Sequence, residues 1–439
     1  MFQPEIETLP LPRLRTLQVE KLRNLISYLN LYSDFYRKKF RESNITPGTI
    51  KSMDDIRFLP LTFKSDLRDH YPFGLFTVPK DQLARIHCSS GTTGKPTVVG
   101  YTARDLDIFA EVVARSLAAA GATKGMLLHN AYGYGLFTGG LGLHAGAERL
   151  GMSVLPVSGG MTDRQINLIM DFQPEVICCT PSYALTIADA FAKNGIDPED
   201  ISLRYAVLGA EPWTDTVRTS VEASLGVTAT NIYGLSEIIG PGVSNEDYRE
   251  KNGSYIWEDH FFPEILDPVT YEPLPEGKQG VLVFTTLTKE AMPLVRYWTN
   301  DITHLFYDRD GSRTMVKMGP IVGRTDDMLI VRGVNVYPTQ IEAAIKDIPG
   351  ILPHYFLYPR INNQMVTQLD IDIEVSNEHA AKYEIDLQNI SSDSKTKKLG
   401  SVVQDKIKKE VGITVGVTIC PEGSLPKCEG GKMNRVIVG

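Results

Sequence analysis

The segment Cys88-Ser89-Ser90-Gly91-Thr92-Thr93-Gly94-Lys95-Pro96-Thr97 decides how this sequence is interpreted. Its two glycines permit positive φ and close backbone approach, so consecutive N–H groups can converge on anionic oxygens. The hydroxyl side chains add donors and Lys95 adds a positive charge. We therefore interpret the segment as a phosphate-binding loop. It is not a Walker loop, because that pattern requires a glycine in place of Ser89 and a serine or threonine in place of Pro96. A flexible surface loop is the alternative, but the strand-like valines that follow disfavour it.

Length and composition bound the class of protein. A chain of 439 residues is too long for one ordinary core and predicts two or three subdomains. Its 42% hydrophobic and 22% charged content is typical of a soluble globular protein, and its net charge of -8 disfavours nucleic-acid binding. Five cysteines without Cys-x-x-Cys spacing indicate a reducing compartment. We therefore expect a cytoplasmic protein without an export signal.

One uncharged run, 125–147, is long enough to cross a bilayer. It contains seven glycines and two histidines, which are unfavourable in a membrane helix. The run is therefore expected to form a buried segment that lines a pocket, and no membrane association is predicted.

Helical and strand patterns alternate along most of the chain, which is typical of an α/β fold. Helices are predicted over 14–39 and 103–120. Short apolar runs predict buried strands at 126–128, 153–155, 176–179 and 205–208. The region 253–308 is rich in strands and turns.

The chain after residue 325 has the pattern of a smaller α+β unit. It shows a helix near 339–346, a strand over 369–375, a polar loop over 391–398 and a helix near 402–411. We therefore expect a large N-terminal domain, 1–325, with parallel-rich sheets and a β-rich subdomain. A small C-terminal domain, 326–439, follows it.

The phosphate-binding loop resembles the signature of the adenylate-forming acyl-CoA synthetase superfamily. Further matches follow in the same order: Gly209-Ala210-Glu211-Pro212, Asn231-Ile232-Tyr233-Gly234-Leu235-Ser236-Glu237, Arg296-Tyr297-Trp298-Thr299-Asn300-Asp301, Gly323-Arg324-Thr325-Asp326-Asp327 and Gly431-Lys432. Other stretches resemble the phenylacetate-CoA ligase subfamily: Trp257-Glu258-Asp259-His260-Phe261, Phe284-Thr285-Thr286-Leu287-Thr288 and Arg332-Gly333-Val334-Asn335-Val336-Tyr337-Pro338. The resemblance covers almost the whole chain.

This resemblance implies a two-step ligase that uses ATP, magnesium and coenzyme A. An acid attacks the α-phosphorus of ATP to give an acyl-adenylate and pyrophosphate, and the thiol of CoA then displaces AMP. The expected substrate is an arylacetate, phenylacetate foremost. Indoleacetate or benzoate-like acids, or another acceptor such as a carrier protein or a deazaflavin, are the alternatives. A nucleotide-binding protein without turnover is disfavoured because Glu237, Asp301 and Lys432 are all present.

The resemblance also implies site residues. Glu237 is the expected magnesium ligand, which suits an ion that takes one or two protein carboxylates. Lys432 serves adenylation, Asp326 is the hinge on which the small domain pivots, and Arg332 with Gly333 faces CoA. The implied nucleotide-binding set is Ser89, Ser90, Gly91, Thr92, Thr93, Gly94, Lys95, Gly209, Ala210, Glu211, Pro212, Asn231, Ile232, Tyr233, Gly234, Ser236, Asp301 and Arg324. Within that set, Tyr233 is expected to cover adenine and Asp301 to accept hydrogen bonds from the ribose hydroxyls.

The implied acyl pocket contains two aromatic residues among glycines, which make room for a flat ring. Its residues are Tyr132, Phe137, Ile238 and Pro241, and each of them also fits an ordinary core position. The cysteine and histidine set that holds zinc in some relatives is absent, so no zinc is predicted. Trp298 replaces an arginine of many relatives, and its role is left open. A homodimer is compatible with the sequence but not required by it.

Overall fold

The structure is a computed structural model that describes residues 1–88, 96–325, 329–331, 334–362, 365–426 and 435–437. The α-helices are α1 (Pro4–Glu7), α2 (Leu11–Tyr32), α3 (Asp34–Glu42), α4 (Lys64–Asp69), α5 (Ala103–Ala119), α6 (Gly139–Leu150), α7 (Thr162–Phe172), α8 (Pro181–Asn194), α9 (Asp215–Leu225), α10 (Pro338–Ile345), α11 (Asn377–Lys382) and α12 (Ser394–Val411). Short 3-10 helices occur at Pro47–Thr49, Met53–Phe58, Lys80–Gln82 and Pro198–Asp200.

The strands up to residue 306 are β1 (Arg85–Cys88), β2 (Val98–Tyr101), β3 (Leu127–Asn130), β4 (Ser153–Leu155), β5 (Val176–Cys179), β6 (Tyr205–Gly209), β7 (Thr228–Leu235), β8 (Gly240–Glu246), β9 (Ser254–Ile256), β10 (Phe261–Leu266), β11 (Gly280–Thr286), β12 (Tyr297–Thr303) and β13 (Leu305–Phe306). Those after residue 306 are β14 (Lys317–Met318), β15 (Gly323–Arg324), β16 (Leu329–Val331), β17 (Val334–Val336), β18 (Ile351–Asn362), β19 (Met365–Val375) and β20 (Val415–Pro421).

The largest sheet has the strand order β13-β14-β9-β8-β7-β6-β5-β3-β4. Its strands β4, β3, β5, β6 and β7 run parallel, and the strands from β8 onward pair antiparallel. The four apolar runs that predicted strands correspond to β3, β4, β5 and β6, so those predictions are confirmed.

Three smaller sheets complete the fold of the described residues, and one of them is the two-stranded sheet β1-β2. The order β10-β11-β12-β15 forms an antiparallel sheet, which confirms the β-rich interpretation of 253–308. The last part of the chain forms its own sheet, β17-β16-β19-β18 with β20 beside β19. Helices α10 and α12 contribute to a separate apolar core there, in which Leu369 and Ile371 pack with Val403 and Ile407. The predicted fold class is confirmed, whereas the boundary at residue 326 and the pivot stay predictions.

Helix boundaries differ from the sequence prediction in two places. The predicted helix 14–39 is two helices, because Ser33 adopts φ -124° and ψ 109° and its hydroxyl accepts from the N–H of Tyr36 at 3.3 Å as the N-cap of α3. The predicted loop over 391–398 is wrong in its second half. Helix α12 begins at Ser394, where the Asp393 carboxylate accepts from the N–H groups of Lys395 and Thr396. The polar residues there form the first turn of a capped helix.

The uncharged run 125–147 forms β3, an irregular segment and most of α6. Its glycines allow α6 to approach α5 closely. A Cβ at Gly142 would lie 2.2 Å from Cζ of Phe109, and one at Gly146 would lie 2.2 Å from Cγ1 of Val113. Within the described residues, no helix has the length and apolar character needed to cross a membrane. The glycines therefore serve helix packing.

Candidate active site

The candidate residues gather at the carboxyl ends of the parallel strands, where ligands bind in open α/β sheets. Gly209 ends β6, and the segment 236–239, hereafter the 236–239 turn, connects β7 to β8. Two glycines at this edge, Gly209 and Gly234, are sterically required. A Cβ at Gly209 would lie 2.1 Å from the carbonyl oxygen of Ile232, and one at Gly234 would lie 1.9 Å from that of Gly240. The glycines of these motifs thus allow β6, β7 and β8 to pack closely at this edge of the sheet.

Three residues of the predicted nucleotide set meet around Asp301, and we call Tyr233, Asp301 and Arg324 the Asp301 cluster. Asp301 and Arg324 are register partners on β12 and β15, and Nη1 of Arg324 donates to Oδ1 of Asp301 at 2.5 Å. The Tyr233 hydroxyl donates to Oδ2 at 2.6 Å. Burial, followed by the charge of Asp301, raises the pKa of Tyr233. Residues 68 positions apart in sequence are thus joined in one polar group.

Tyr233, which is predicted to cover adenine, lies on β7. One face of the ring stacks on Phe284, with the centroids 6.4 Å apart and the planes inclined by 29°. The backbone N–H of nearby Asn231 donates to the Glu246 carboxylate at 2.7 Å. Adenine contact by Tyr233 and by the 231–234 backbone stays a prediction.

Glu237 lies in the 236–239 turn and is 7% exposed. Burial, followed by the charge of Glu237, raises the pKa of Tyr297. Among the described residues, no lysine or arginine forms an ion pair with Glu237. A buried carboxylate without a paired cation suits a divalent ion, so Glu237 fits the predicted magnesium ligand.

Two residues that the sequence analysis did not select hold the backbone of this turn. Nζ of Lys289 donates to the carbonyl oxygen of Glu237 at 3.1 Å, and the Tyr101 hydroxyl donates to that of Ile239 at 2.9 Å. Burial lowers the pKa of Lys289 to about 8, against the opposing charges of Asp105 and Glu237. No sequence signal identifies these residues, since they lie 52 and 138 positions from their partners.

The four predicted acyl-binding residues lie on two adjoining segments. Thr138 and Ser236 approach through their hydroxyls at 3.3 Å, which places the 132–138 segment against the 236–239 turn. Tyr132 is 8% exposed and Ile238 fully buried, and both belong to the main apolar core. Pro241 lies on β8 and is partly buried, whereas Phe137 is 52% exposed. Tyr132 and Phe137 therefore differ strongly in environment, and their joint contact with an aryl group stays a prediction.

The predicted phosphate-binding residues Ser89, Ser90, Gly91, Thr92, Thr93, Gly94 and Lys95 lie outside the described residues. The strands on either side, β1 and β2, pair antiparallel with Cys88 opposite Val98. The carbonyl oxygen of Leu136 accepts from the N–H of Cys88 at 3.0 Å and lies 2.9 Å from Nδ1 of His87. The chain therefore enters the loop directly beside the predicted acyl segment.

The small C-terminal unit places a buried carboxylate beside the described end of the chain. Burial raises the pKa of Glu342, and the nearby charge of Arg435 opposes that shift. Arg435 lies three residues after Lys432. Asp326, Arg332, Gly333 and Lys432 themselves lie outside the described residues.

Trp298 belongs to a cluster of three rings. Its centroid lies 5.2 Å from that of Tyr271 and 6.0 Å from that of Phe63. The rings border a cavity of about 560 Å³ that also contacts Asn300 and Tyr337. Trp298 thus contributes apolar surface where many relatives carry a cation.

A second polar group, the Asp259 cluster, comprises Glu111, Arg115, Asp259 and His260. Carboxylate oxygens of Glu111 and Asp259 and a ring nitrogen of His260 lie within 4.8 Å of one another, a spacing that a metal ion could bridge. However, Arg115 donates to both oxygens of Asp259, at 2.7 and 3.1 Å, and to Oε1 of Glu111 at 2.5 Å. The carboxylates of Asp259 and Glu111 are therefore already paired with a cation, the guanidinium of Arg115.

Comparisons with known proteins agree with this geometry. The family model described as AMP-binding enzyme matches residues 39–287, and the AMP-binding enzyme C-terminal domain matches 333–438. The chain belongs to the AMP-binding enzyme family. Within that family it is 59% identical to a phenylacetate-coenzyme A ligase of Thermus thermophilus, over 100% of this chain and 99% of the relative. It is 46% identical to one of Escherichia coli K12, over 97% and 95% of the two chains. The predicted subfamily is confirmed.

Solved structures of this family separate two arrangements. A 2-hydroxyisobutyryl-CoA ligase in the postadenylation state is 25% identical, covers 99% of this chain and 92% of its own, and has a TM-score of 0.90. The same ligase in the thioesterification state, with 99% and 91% coverage, has a TM-score of 0.72. This structure is therefore closer to the postadenylation arrangement.

Proposed function

We propose that this chain is an ATP-dependent arylacetate-CoA ligase, with phenylacetate as its principal acid. It forms an acyl-adenylate and pyrophosphate, and then acyl-CoA and AMP. The observation that carries the proposal is identity of 46–59% over nearly the full chain with four phenylacetate-coenzyme A ligases. The AMP-binding family model supports the use of the nucleotide.

The chemistry requires little more than positioning and charge neutralisation. A carboxylate is a poor acyl donor, because its charge repels nucleophiles and oxide is a very poor leaving group; adenylation supplies AMP as the leaving group. In this chain Asp301 holds the ribose, Tyr233 covers the base, and the 89–95 loop binds the phosphates. Lys432 adds a positive charge where the two substrates meet. The group of Tyr132, Phe137, Ile238 and Pro241 orients the acid.

Magnesium completes the proposed site through Glu237. When bound, the ion neutralises the phosphate oxygens. The buried position of Glu237, without a paired lysine or arginine among the described residues, supports this assignment. The proposal includes no zinc. The cytoplasmic location and the homodimer stay predictions.

The proposal includes alternation of the small domain, 326–439, about Asp326. A 2-hydroxyisobutyryl-CoA ligase that has been solved in both a postadenylation and a thioesterification state, with TM-scores of 0.90 and 0.72 to this structure, supports it. Arg332 and Gly333 face CoA in the thioesterification arrangement.

A panel of acids tests the proposal directly. Pyrophosphate release and AMP release are measured with phenylacetate, 4-hydroxyphenylacetate, indoleacetate and benzoate, each with and without CoA. We expect the highest kcat/KM with phenylacetate, and a CoA-dependent burst of AMP with phenylacetyl-CoA detected by mass spectrometry. Pyrophosphate release without CoA-dependent AMP release would instead indicate another acceptor. A higher kcat/KM with benzoate would remove the arylacetate assignment.

A further inference from the structure

Lys289 is a buried cation adjacent to the proposed magnesium ligand. It is 4% exposed, and its ammonium lies 5.1 Å from the centroid of the Tyr101 ring. Its one described hydrogen bond goes to the backbone of Glu237, at 3.1 Å. Burial of an ammonium is costly unless charges and acceptors compensate it. The compensation here includes Glu237 itself, together with Asp105.

The backbone around Lys289 is fixed on both sides. On the C-terminal side, Oδ1 and Oδ2 of Asp105 accept from the N–H groups of Glu290 and Ala291, at 2.7 and 2.8 Å. On the N-terminal side, the Thr288 hydroxyl lies 2.8 Å from Nδ1 of His260. Since the stem of Lys289 starts from a rigid backbone, its ammonium can hold the 236–239 turn in one position.

Tyr101 holds the other end of the same turn. Its hydroxyl donates to the carbonyl oxygen of Ile239 at 2.9 Å, and its ring is fully buried and stacks on Phe109 at 5.8 Å. The turn is therefore held through the carbonyls of Glu237 and Ile239. Both donors come from outside the β7–β8 hairpin.

We propose that Lys289 is a positioning residue for metal–nucleotide binding, and that it acts by fixing the backbone of Glu237. This inference rests on the proposed function, because it requires Glu237 to be the metal ligand. The ammonium sets the orientation from which the Glu237 side chain leaves the turn, and Tyr101 supports it from Ile239. Without Lys289 the turn retains its contacts with Tyr101 and Thr138, but the Glu237 carbonyl loses its donor and the carboxylate has more orientations available.

The test is binding of Mn²⁺ as a magnesium substitute, monitored by electron paramagnetic resonance in the presence of α,β-methylene-ATP, which cannot transfer its adenylyl group because its α,β bridge is not cleaved. Lys289→Met keeps the length of the side chain and removes the donor. We expect Mn²⁺ to bind about tenfold more weakly, as loss of one charge-assisted hydrogen bond implies. Tyr101→Phe should weaken Mn²⁺ binding about threefold. Glu237→Gln, which removes the ligand itself, should abolish tight binding.

Lys317→Met is the matched control. Lys317 is also buried, lies 4.4 Å from the Tyr255 ring centroid, and pairs with Glu250 and Asp308. It lies on β14, which β9 separates from the β7–β8 hairpin. Its replacement should lower Tm without changing Mn²⁺ affinity. Wild-type Mn²⁺ affinity in folded Lys289→Met would overturn the positioning role and leave the proposed function intact. If Lys289→Met does not fold, wild-type affinity in Tyr101→Phe would overturn it. Failure of the wild-type protein to bind Mn²⁺ with the analogue would overturn both.

Discussion

The Asp301 cluster and the Asp259 cluster both place carboxylates at buried positions, yet their charges balance differently. In the Asp259 cluster, two carboxylates face Arg115 and the ammonium of Lys21, which donates to the carbonyl oxygen of Asp259 at 2.6 Å. Although burial raises the pKa of Asp259, the charges of His260 and Arg115 lower it well below its ordinary value. This cluster is neutralised within the protein.

In the Asp301 cluster, Arg324 donates to Asp301. In the adjoining 236–239 turn, no lysine or arginine of the described residues forms an ion pair with the carboxylate of Glu237. Closeness of acidic groups alone therefore does not indicate a ligand site in this fold. A buried carboxylate without an ion-pair partner, such as Glu237, is the better indication, because a bound cation can then lower the energy of the buried charge.

Arg115→Met should produce the largest effect, and that effect should be on stability. It leaves Glu111 and Asp259 buried without their main donor, so we expect a loss of about 3–5 kcal/mol in the free energy of unfolding, measured by urea denaturation. The kcat of the folded variant should stay near the wild-type value.

Arg149→Met is its control, since Arg149 pairs with Asp107 at 2.8 Å on the surface. Such a pair contributes about 0–1 kcal/mol. Equal losses of stability in the two variants would contradict the structural role given to the Asp259 cluster.

Asp301→Asn should affect the substrate more than the fold. The amide keeps one acceptor for Tyr233 but loses the charge that pairs with Arg324 and the second acceptor expected for the ribose. We expect the KM for ATP to rise about 10–100-fold, with a much smaller change in the KM for phenylacetate. Steady-state kinetics with each substrate varied in turn provide the measurement.

Asp308→Asn is the matched variant, because Asp308 is also in an ion pair, with Lys317 at 2.8 Å, but outside the site. Its KM for ATP should be unchanged. A parallel rise in both KM values for Asp301→Asn would indicate general distortion of the large domain and would remove the ribose assignment.

The smallest expected effect is on how thermal stability depends on pH under acidic conditions. Burial of Glu111 opposes its ionisation, but the hydrogen bond and charge of His260 and the charge of Arg115 lower its pKa to about 2. A carboxyl with a depressed folded-state pKa contributes stability above its unfolded pKa, about 4.3, and loses that contribution as the pH falls towards 2. Glu111→Gln should therefore flatten the dependence of Tm on pH between about 4.5 and 2. An unchanged slope would show that Glu111 is not coupled to folding.

The sequence predicted the features that depend on local patterns. The buried strands β3 to β6 and helix α5 follow from apolar spacing, and the structure brings Tyr233 and Asp301 from two of the motifs into contact. Local capping produced the errors, since Ser33 divides one predicted helix and Asp393 begins another inside a predicted loop.

Long-range contacts were outside the reach of the sequence. Lys289 and Tyr101 reach the 236–239 turn only because β2, α5 and the segment after β11 pack together. Similarly, nothing in the sequence distinguished the half-exposed Phe137 from the buried Tyr132. Sequence patterns identify the residues that are expected to contact a ligand. They identify less readily the residues that hold those side chains in place.

Helix α5 connects the two clusters physically. Its N-terminal turn supplies Asp105, which holds the backbone beside Lys289, and ten residues later the same helix supplies Arg115 to Asp259. At a rise of about 1.5 Å per residue, Asp105 and Arg115 are about 15 Å apart along α5. Gly142 and Gly146 of α6 allow that helix to pack closely against α5. Heat that unfolds α5 therefore releases the Asp259 cluster and the backbone beside Lys289 together. Thermal inactivation and global unfolding of this protein should consequently occur in the same temperature interval, without a preceding stage in which the protein is folded but inactive.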